Sequence, residues 1–534
     1  MLSPINEKMK VFSYVGKMLE QLCSPSLCRS TWFHLGGNQL PINLFYFLFI
    51  LSIGFFILQS MDVKTTTTFT PRNIDLFFTS VSAATVSSMS TVEMEVFSNT
   101  QLVVLTILMV IGGEVFISMV ILYLRRPFLK ESSNDGCKVD PPMCYLNTQS
   151  ICLDNIELHK IVIRESGSSK SDTFNCEIVS TNDVDMEDLK YKSFKFLGLV
   201  VFFYLVFVQI LGVVSVFIYI NVISSAKNIL KQKDIRALTF SIFTVTSTFV
   251  NCGFVPTNEN MMIFRKNSGL LLILIPQALF GNTLYPPVLR LTIWAIGIFT
   301  KKSEARYLLK NSKVLGYNHL LSYQDSLLLA TTVLAFIMLQ FILFSSMEWS
   351  SGSLRDLDLY QKLVGILFET VNTRHTGESI VDLSTINASI LVLFIVMMYL
   401  PPYTSFSLVR EENFEQRSKR SSTFMEKLIF SQLTYLVIFV MLVCITERKQ
   451  MIQDPLNFNV LNIVVEVISA YGNVGFSTGY SCDRRLKQDG DCENKWYGFS
   501  GKWSDGGKLI LIVVMIFGRL KKFNMNGGKA WKLL

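Results

Sequence analysis

Four stretches of this chain are rich in Thr and Ser and end at comparable points: FTSVSAATVSSM around Ser88, FTVTSTFVNCGF at Gly253, FETVNTRHTGE at Gly377 and VEVISAYGNVGF at Gly475. The second and fourth both end in Asn-x-Gly-Phe, whereas the first keeps the hydroxyl-rich approach and has Ser where the others have Gly. A cation that sheds its hydration shell needs replacement oxygens at fixed places, and selectivity filters supply them as backbone carbonyls. A strand that approaches a pore axis closely, in unusual dihedrals, is served by Gly. One Gly in a loop is an ordinary turn residue. Four positions in register point instead to a ring of carbonyls at Ser88, Gly253, Gly377 and Gly475 that holds the passing metal ion. The flanking residues Val86, Ser87, Asn251, Cys252, His375, Thr376, Asn473 and Val474 complete the strands.

Arg519 is the next residue of interest. It follows Gly518 at the level where other apolar runs carry Gly112, Gly113, Glu114 and Gly281, Asn282. A basic residue at the end of an apolar run is commonly a snorkelling anchor. Intramembrane charges, however, usually face a cavity or a partner. Arg519 therefore reads as facing a cavity or a partner, with Glu114 as the expected partner. His375 reads as a structural side chain behind the third strand. Glu93 and Glu95 follow the first strand, and either attract cations at the mouth or belong to a solvated outer face. His34, His159 and His319 are isolated, with no second ligand at metal spacing. No catalytic residue, resident metal or cofactor is expected, because a membrane enzyme would need clustered His, Asp, Glu or Cys at membrane depth. A receptor reading offers no account of the four repeated stretches.

The elements that must position these residues are membrane helices. The 534-residue chain is 50% hydrophobic and only 17% charged, with 42 Phe, against about a quarter charged in soluble domains. Its net charge of +8 is spread as short clusters beside apolar runs, the pattern of membrane topology and not of a nucleic-acid surface. A crossing helix needs about 20 apolar residues. Candidates run from Ile42 to Met61, Leu102 to Leu124, Phe196 to Ile220, Leu270 to Ile293, Leu327 to Met347, Ile386 to Leu400, Leu428 to Thr446 and, shorter, Leu509 to Gly518. The four hydroxyl-rich stretches (Asn73 to Met89, Thr239 to Phe254, Leu357 to Gly377, Leu456 to Phe476) each lie between an odd-numbered span and the next. Non-helical backbone at membrane depth must line water or be buried in protein. The expectation is an all-α polytopic membrane protein with eight transmembrane helices and four re-entrant pore loops, in four helix–pore-loop–helix repeats around one pore.

The repeats fall at residues 41–125, 193–298, 324–407 and 428–524, with cytoplasmic linkers at 126–192, 299–323 and 408–427. A cytoplasmic N-terminal segment (1–40) and tail (525–534) complete the chain. Lys301, Lys302, Arg306, Lys310 and Lys313, then Arg410, Arg417, Lys419 and Arg420, then Arg519, Lys521, Lys522, Lys529 and Lys532 place both termini in the cytoplasm. Lys227, Lys231, Lys233 and Arg236 break that rule by falling outside. The polar insertion from Lys130 to Lys190 reads as a flexible loop without a nucleotide-binding fingerprint. Cys482 and Cys492 share a polar loop and could pair if it faces an oxidising compartment, and Asn387 opens an Asn-Ala-Ser sequon.

The pattern resembles the plant HKT sodium/potassium transporters of the wider Trk/Ktr/HKT superfamily. The carrying residues are TVSSMSTVEMEVFSNTQL, TFVNCGFVPTNENM, NTRHTGE, YGNVGFSTGY and FGRLKKFN, and the resemblance covers about Pro41 to Asn524. The Ser-Gly-Gly-Gly set matches the family's class I subgroup. The resemblance implies a passive sodium-selective transporter of the plasma membrane that serves sodium homeostasis and salt tolerance. A co-transporting or potassium-preferring relative is the alternative. It also implies an Arg beside the pore below the filter, at Arg519, which forms a pore constriction with Glu114, and a homodimer with one pore in each subunit.

Overall fold

The computed structural model describes residues 39–64, 70–123, 181–312, 317–405, 432–485, 492 and 494–524. The tail 525–534 and linker 408–427, nearly all of the N-terminal segment and most of the insertion lie outside them, with His34 and His159. The described residues are helical, with one isolated bridge between Tyr480 and Lys495.

The helices are α1 (Gln39–Gln59), α2 (Asn73–Ala84), α3 (Asn99–Gly112), α4 (Glu114–Tyr123), α5 (Thr181–Val222), α6 (Ser224–Gln232), α7 (Ala237–Phe249), α8 (Ser268–Phe280) and α9 (Tyr285–Thr300). They continue with α10 (Ser303–Lys310), α11 (Tyr323–Glu348), α12 (Leu359–Asn372), α13 (Ala388–Tyr399), α14 (Gln432–Thr446), α15 (Arg448–Gln453), α16 (Val460–Gly472) and α17 (Asp505–Asn524). Local sequence sets several starts. Ser98 with Gln101 forms a capping box on α3, and Ser322, Asn387 and Asn459 cap α11, α13 and α16, each satisfying amides that a helix start leaves bare.

Eight spans were expected, with breaks in even-numbered ones at GNTLYPP and MMYLPPY. Among the described residues, Leu189–Val222 of α5 and all of α11 are long and apolar enough to cross a membrane unaided. Two further crossings arise only if bent pairs count as one: α3 with α4, bent by 59°, and α8 with α9, bent by 84°. The second break follows Pro276 inside α8 and precedes Pro286 at the start of α9. The first falls at Gly113, which is extended (φ −66°, ψ 141°). The second break falls at the GNTLYPP expected from the sequence, whereas the apolar run alone conceals the first. The helical start of α5 at Thr181 also corrects the loop reading of the end of the insertion. A helix once nucleated extends at little cost beyond its apolar run.

The four hydroxyl-rich stretches become the short helices α2, α7, α12 and α16, of 12, 13, 14 and 13 residues. At 1.5 Å per residue they reach about 18–21 Å, short of a hydrocarbon core of about 30 Å. Each packs against the helix that precedes the next one in a closed cycle: α3 on α7, α8 on α12, α13 on α16 and α17 back on α2. A buried ion pair joins the last and first members of the cycle, Lys508 Nζ of α17 to Asp75 Oδ1 of α2 at 2.7 Å. Large apolar side chains cover the outside, among them Phe45, Phe207, Ile342 and Met441, a belt suited to lipid and not to water.

Candidate functional site

Each short helix ends three to five residues before its candidate position: Ala84 before Ser88, Phe249 before Gly253, Asn372 before Gly377 and Gly472 before Gly475. The strand is then turned back on the helix end by one recurring bond. The amides of Ser87, Cys252, Gly377 and Val474 donate to the carbonyls of Ser82, Ser247, Asn372 and Ser469, at 2.8, 2.8, 3.0 and 3.0 Å. In three cases the donor precedes the candidate position, and in the third it is Gly377 itself. That strand is offset by one residue.

The backbone shows why glycine recurs. Gly253, Gly377 and Gly475 have φ of +89°, +68° and +104°, and Ser88 shares the left-handed region at +52°. Two residues earlier, Val86, Asn251 and Asn473 are left-handed as well, at +50°, +60° and +49°. This conformation is unfavourable for Ser and more so for a β-branched Val. Alternating left-handed and ordinary residues turn successive carbonyls toward one side of the strand, whereas a β-strand alternates them. The two left-handed residues of the first strand carry side chains, so surrounding contacts must hold it in shape.

These strands meet. A Cβ on Gly253 would strike the Thr376 carbonyl oxygen, one on Gly377 would strike Val474 and Gly475, and one on Gly475 would strike the Ser88 side chain. The buried Cys252 thiol lies near the Ser88 backbone, so the first strand adjoins the second. Asn473 Nδ2 donates to Ser87 Oγ at 2.8 Å and to the Met515 carbonyl at 3.1 Å. Thr248 Oγ1 donates to Glu378 Oε1 at 2.6 Å, and Thr376 bonds Asn372. His375 packs behind the third strand, with Nε2 2.8 Å from Thr283 Oγ1 and Nδ1 against the Val371 carbonyl. The four positions thus form a single ring, and four helix C-termini, the negative ends of their dipoles, lead into it. Above it Ser88, Gly377 and Gly475 border a cavity of about 280 Å³ that also meets Asp382, Asp483, Arg484 and Lys495.

Glu93 and Glu95 are engaged in holding loops. Glu93 accepts the Trp496 amide at 3.3 Å, while Glu95 pairs with Lys233 at 2.8 Å and accepts the Asn258 amide at 3.0 Å. Lys233 also meets Glu259 at 2.6 Å. Burial alone would lower its ammonium, but the two carboxylates outweigh that and hold it above the ordinary lysine value. The misplaced basic cluster noticed in the sequence is therefore partly neutralised in place. Cys482 and Cys492 form a disulfide, and the exposed Asn387 caps α13 through the Ser389 amide.

Below the ring, Arg519 is buried and donates to the Gly112 carbonyl, at the α3–α4 break. It caps a helix end whose carbonyl the break had released. Glu114, two residues on, is near enough for its charge to act on Arg519. It also lies 3.9 Å from His319 Nδ1, whose ring meets the Tyr403 hydroxyl, so Tyr403 sits close to Glu114 as well. Glu114 thus lies between Arg519, its expected partner, and the His319–Tyr403 group. His319 is not isolated either, since Tyr403 lies 2.9 Å from its Nδ1 and the rings of Tyr285 and Tyr317 pack on it. No three metal-ligating side chains cluster among the described residues.

Sequence reading missed Arg374. It is buried, donates to the Pro401 carbonyl after α13 and stacks on Phe336 at 5.1 Å. It therefore takes up a carbonyl released beyond the end of α13, as Arg519 does at the end of α3. The signal available was an Arg inside NTRHTGE followed by a Pro-Pro pair later in the same repeat.

The family model described as "TrkH: Cation transport protein" matches residues 180–409 and 409–525. "Cation transporter HKT1;3" of Oryza sativa subsp. japonica is 48% identical over 505 residues, 93% of this chain and 92% of its own length. "Sodium transporter HKT1" of Arabidopsis thaliana is 48% identical over 478 residues, 88% of this chain and 90% of its own. The crystal structure of the potassium transporter TrkH from Vibrio parahaemolyticus aligns over 91% of this chain and 84% of that chain, with 12% identity and a TM-score of 0.45, a likeness from which nothing further is argued. By the extent of the family and relative matches the chain belongs to the TrkH cation transport protein family, in its plant HKT branch, and is a helical, multi-pass membrane cation transporter and not an enzyme.

Proposed function

We propose that the chain is a passive, sodium-selective transporter of a plant plasma membrane, serving sodium homeostasis and salt tolerance. Ser88, Gly253, Gly377 and Gly475 line its filter with backbone carbonyls, and Arg519 with Glu114 shapes the constriction below. The observation that carries this reading is the mutual contact of these four positions, three of them Gly in the left-handed region and the first a Ser in the same region. Four helix–pore-loop–helix repeats, at 41–125, 193–298, 324–407 and 428–524, surround one pore, and eight helices, some of them bent, cross the membrane. Both termini lie in the cytoplasm, and two copies associate with a pore in each.

With the membrane potential negative inside, each univalent cation gains roughly 2.3 kcal/mol per 100 mV on moving inward, so no coupled chemistry is required. Ser88 adds bulk and a hydroxyl to an otherwise bare ring and disturbs a site matched to the larger potassium ion. A relative that carries "Sodium transporter" as its name agrees with this choice of cargo. Voltage-clamp recording from cells that express the chain tests it. The expected result is a current carried by sodium whose reversal potential follows bath sodium and not bath potassium. Equal permeability to both ions would favour the co-transporting alternative. A C-terminal tag should be reached by antibody only after permeabilisation.

A further inference from the structure

We propose that the groove between α5 and α9 binds a phospholipid with an anionic headgroup, with an acyl chain along the groove and the headgroup at Lys302. The groove encloses about 800 Å³. Its wall on α5 carries Phe203, Phe207 and Leu211, which are largely exposed, and the opposite wall carries Pro276, Val288 and Ile296.

The fold explains why it stays open. α5 packs closely on α8 and again on α10, but only sparsely on α9 between them. The 84° bend between α8 and α9 carries α9 off the line of α8, and the gap left beside it is the groove. From Val288 to Lys302 the path is about 20 Å at helical rise, one leaflet's half of a roughly 30 Å core plus the headgroup level.

Charge selects the occupant. Lys302 closes the end of the groove, with Nζ 5.5 Å above the Phe196 ring, and among the described residues no carboxylate pairs with it. Lys301 and Arg306 lie exposed beside it, and the neighbouring Glu304 carboxylate accepts from Ser303 Oγ. An apolar slot ended by the Lys302 ammonium, with two further exposed cations beside it, fits acyl chain and anionic headgroup together. A second copy of this chain would need an acidic patch to match. The site also touches the transport machinery. Tyr204, in the groove wall, donates to the Phe280 carbonyl at 2.8 Å, and the next residue, Gly281, rests on the Phe249 carbonyl at the end of the helix that leads to Gly253.

The test uses the full chain, purified in detergent and exposed to equal amounts of phosphatidylserine and phosphatidylcholine, with retained lipid read by native mass spectrometry. The wild type should retain phosphatidylserine about tenfold over phosphatidylcholine. The triple variant K301Q/K302Q/R306Q should bring the ratio close to one, since each surface cation near an anionic headgroup contributes up to about fivefold. Ile273→Trp, which fills the groove and leaves the charges intact, should lower retention of both lipids. Equal retention of the two lipids by the wild type would overturn the proposal, as would an unchanged preference in the triple variant. So would quantitative crosslinking of Phe207→Cys to a second copy, which would mean that the groove is covered by protein. None of these readouts depends on which cation is carried, so failure here would leave the sodium reading standing.

Discussion

At the residue scale, Ser88 combines two unusual properties: it sits in the left-handed region without being Gly, and its side chain faces Gly475 of the adjoining strand. Ser88→Gly relieves the backbone and removes the only side chain in the ring. It should raise potassium permeability relative to sodium while current persists. A reversal potential in mixed-ion solution identical to wild type would remove Ser88 as the determinant. Arg519 carries a full charge below the ring. At about 6 Å from a passing cation and an effective dielectric near 20, repulsion amounts to about 2–3 kcal/mol, reduced in part by Glu114. The same side chain caps the Gly112 carbonyl, so charge and capping must be separated. Arg519→Gln should raise current normalised to surface abundance, whereas Arg519→Lys should leave it near wild type. If normalised current is the same in both variants and in wild type, the charge plays no part in the barrier. The glycines were legible in the sequence because only Gly accepts this backbone cheaply. Arg374 was not, since nothing local tells which carbonyl a distant break will release.

At the element scale, the recurring device is a glycine on one helix seated against the last carbonyls of a short helix. A Cβ on Gly112 would strike the Ala84 carbonyl, one on Gly281 the Phe249 carbonyl and one on Gly518 the Tyr471 carbonyl. These contacts set the depth at which three of the four short helices end and so the height of the strands that follow them. Gly281→Ala should therefore destabilise the protein by about 1–3 kcal/mol, the usual cost of overpacking, and lower the midpoint of thermal denaturation followed by size-exclusion fluorescence. Gly352→Ala, where an added Cβ meets nothing within 4 Å, is the control and should leave the midpoint unchanged. Equal midpoints for the two variants would contradict a backbone-to-backbone seat at Gly281. Hydropathy located the runs that hold these elements, because an apolar run is a local property. The Pro-containing GNTLYPP after Phe280 marked one break in the sequence, but the bend at Gly113 was not revealed, because carbonyls freed by a break are tolerated only where distant groups take them up.

At the scale of the whole molecule, the cycle closes through Lys508 and Asp75, which lie 433 positions apart and are both nearly excluded from solvent. Lys508→Ala leaves the buried Asp75 carboxylate with only the half-exposed Arg72, 3.1 Å away, at a cost of up to about 3–5 kcal/mol. It should sharply reduce surface abundance and thermal stability. The double variant Lys508→Met, Asp75→Leu should recover much of both, and failure to recover would show that the pair does more than neutralise itself. Sequence by itself determined the class of the protein, the four-part recurrence and the residue types of the ring, since composition, hydroxyl-rich approaches and Gly requirements are all written locally. Only the tertiary structure decided which strand touches which, that the third is offset by one residue, that Glu114 is shared with His319 and Tyr403, and that Arg519 answers a broken helix. Each of those depends on contacts between residues far apart in the chain, where free energy is set by burial and by the partners that packing happens to supply.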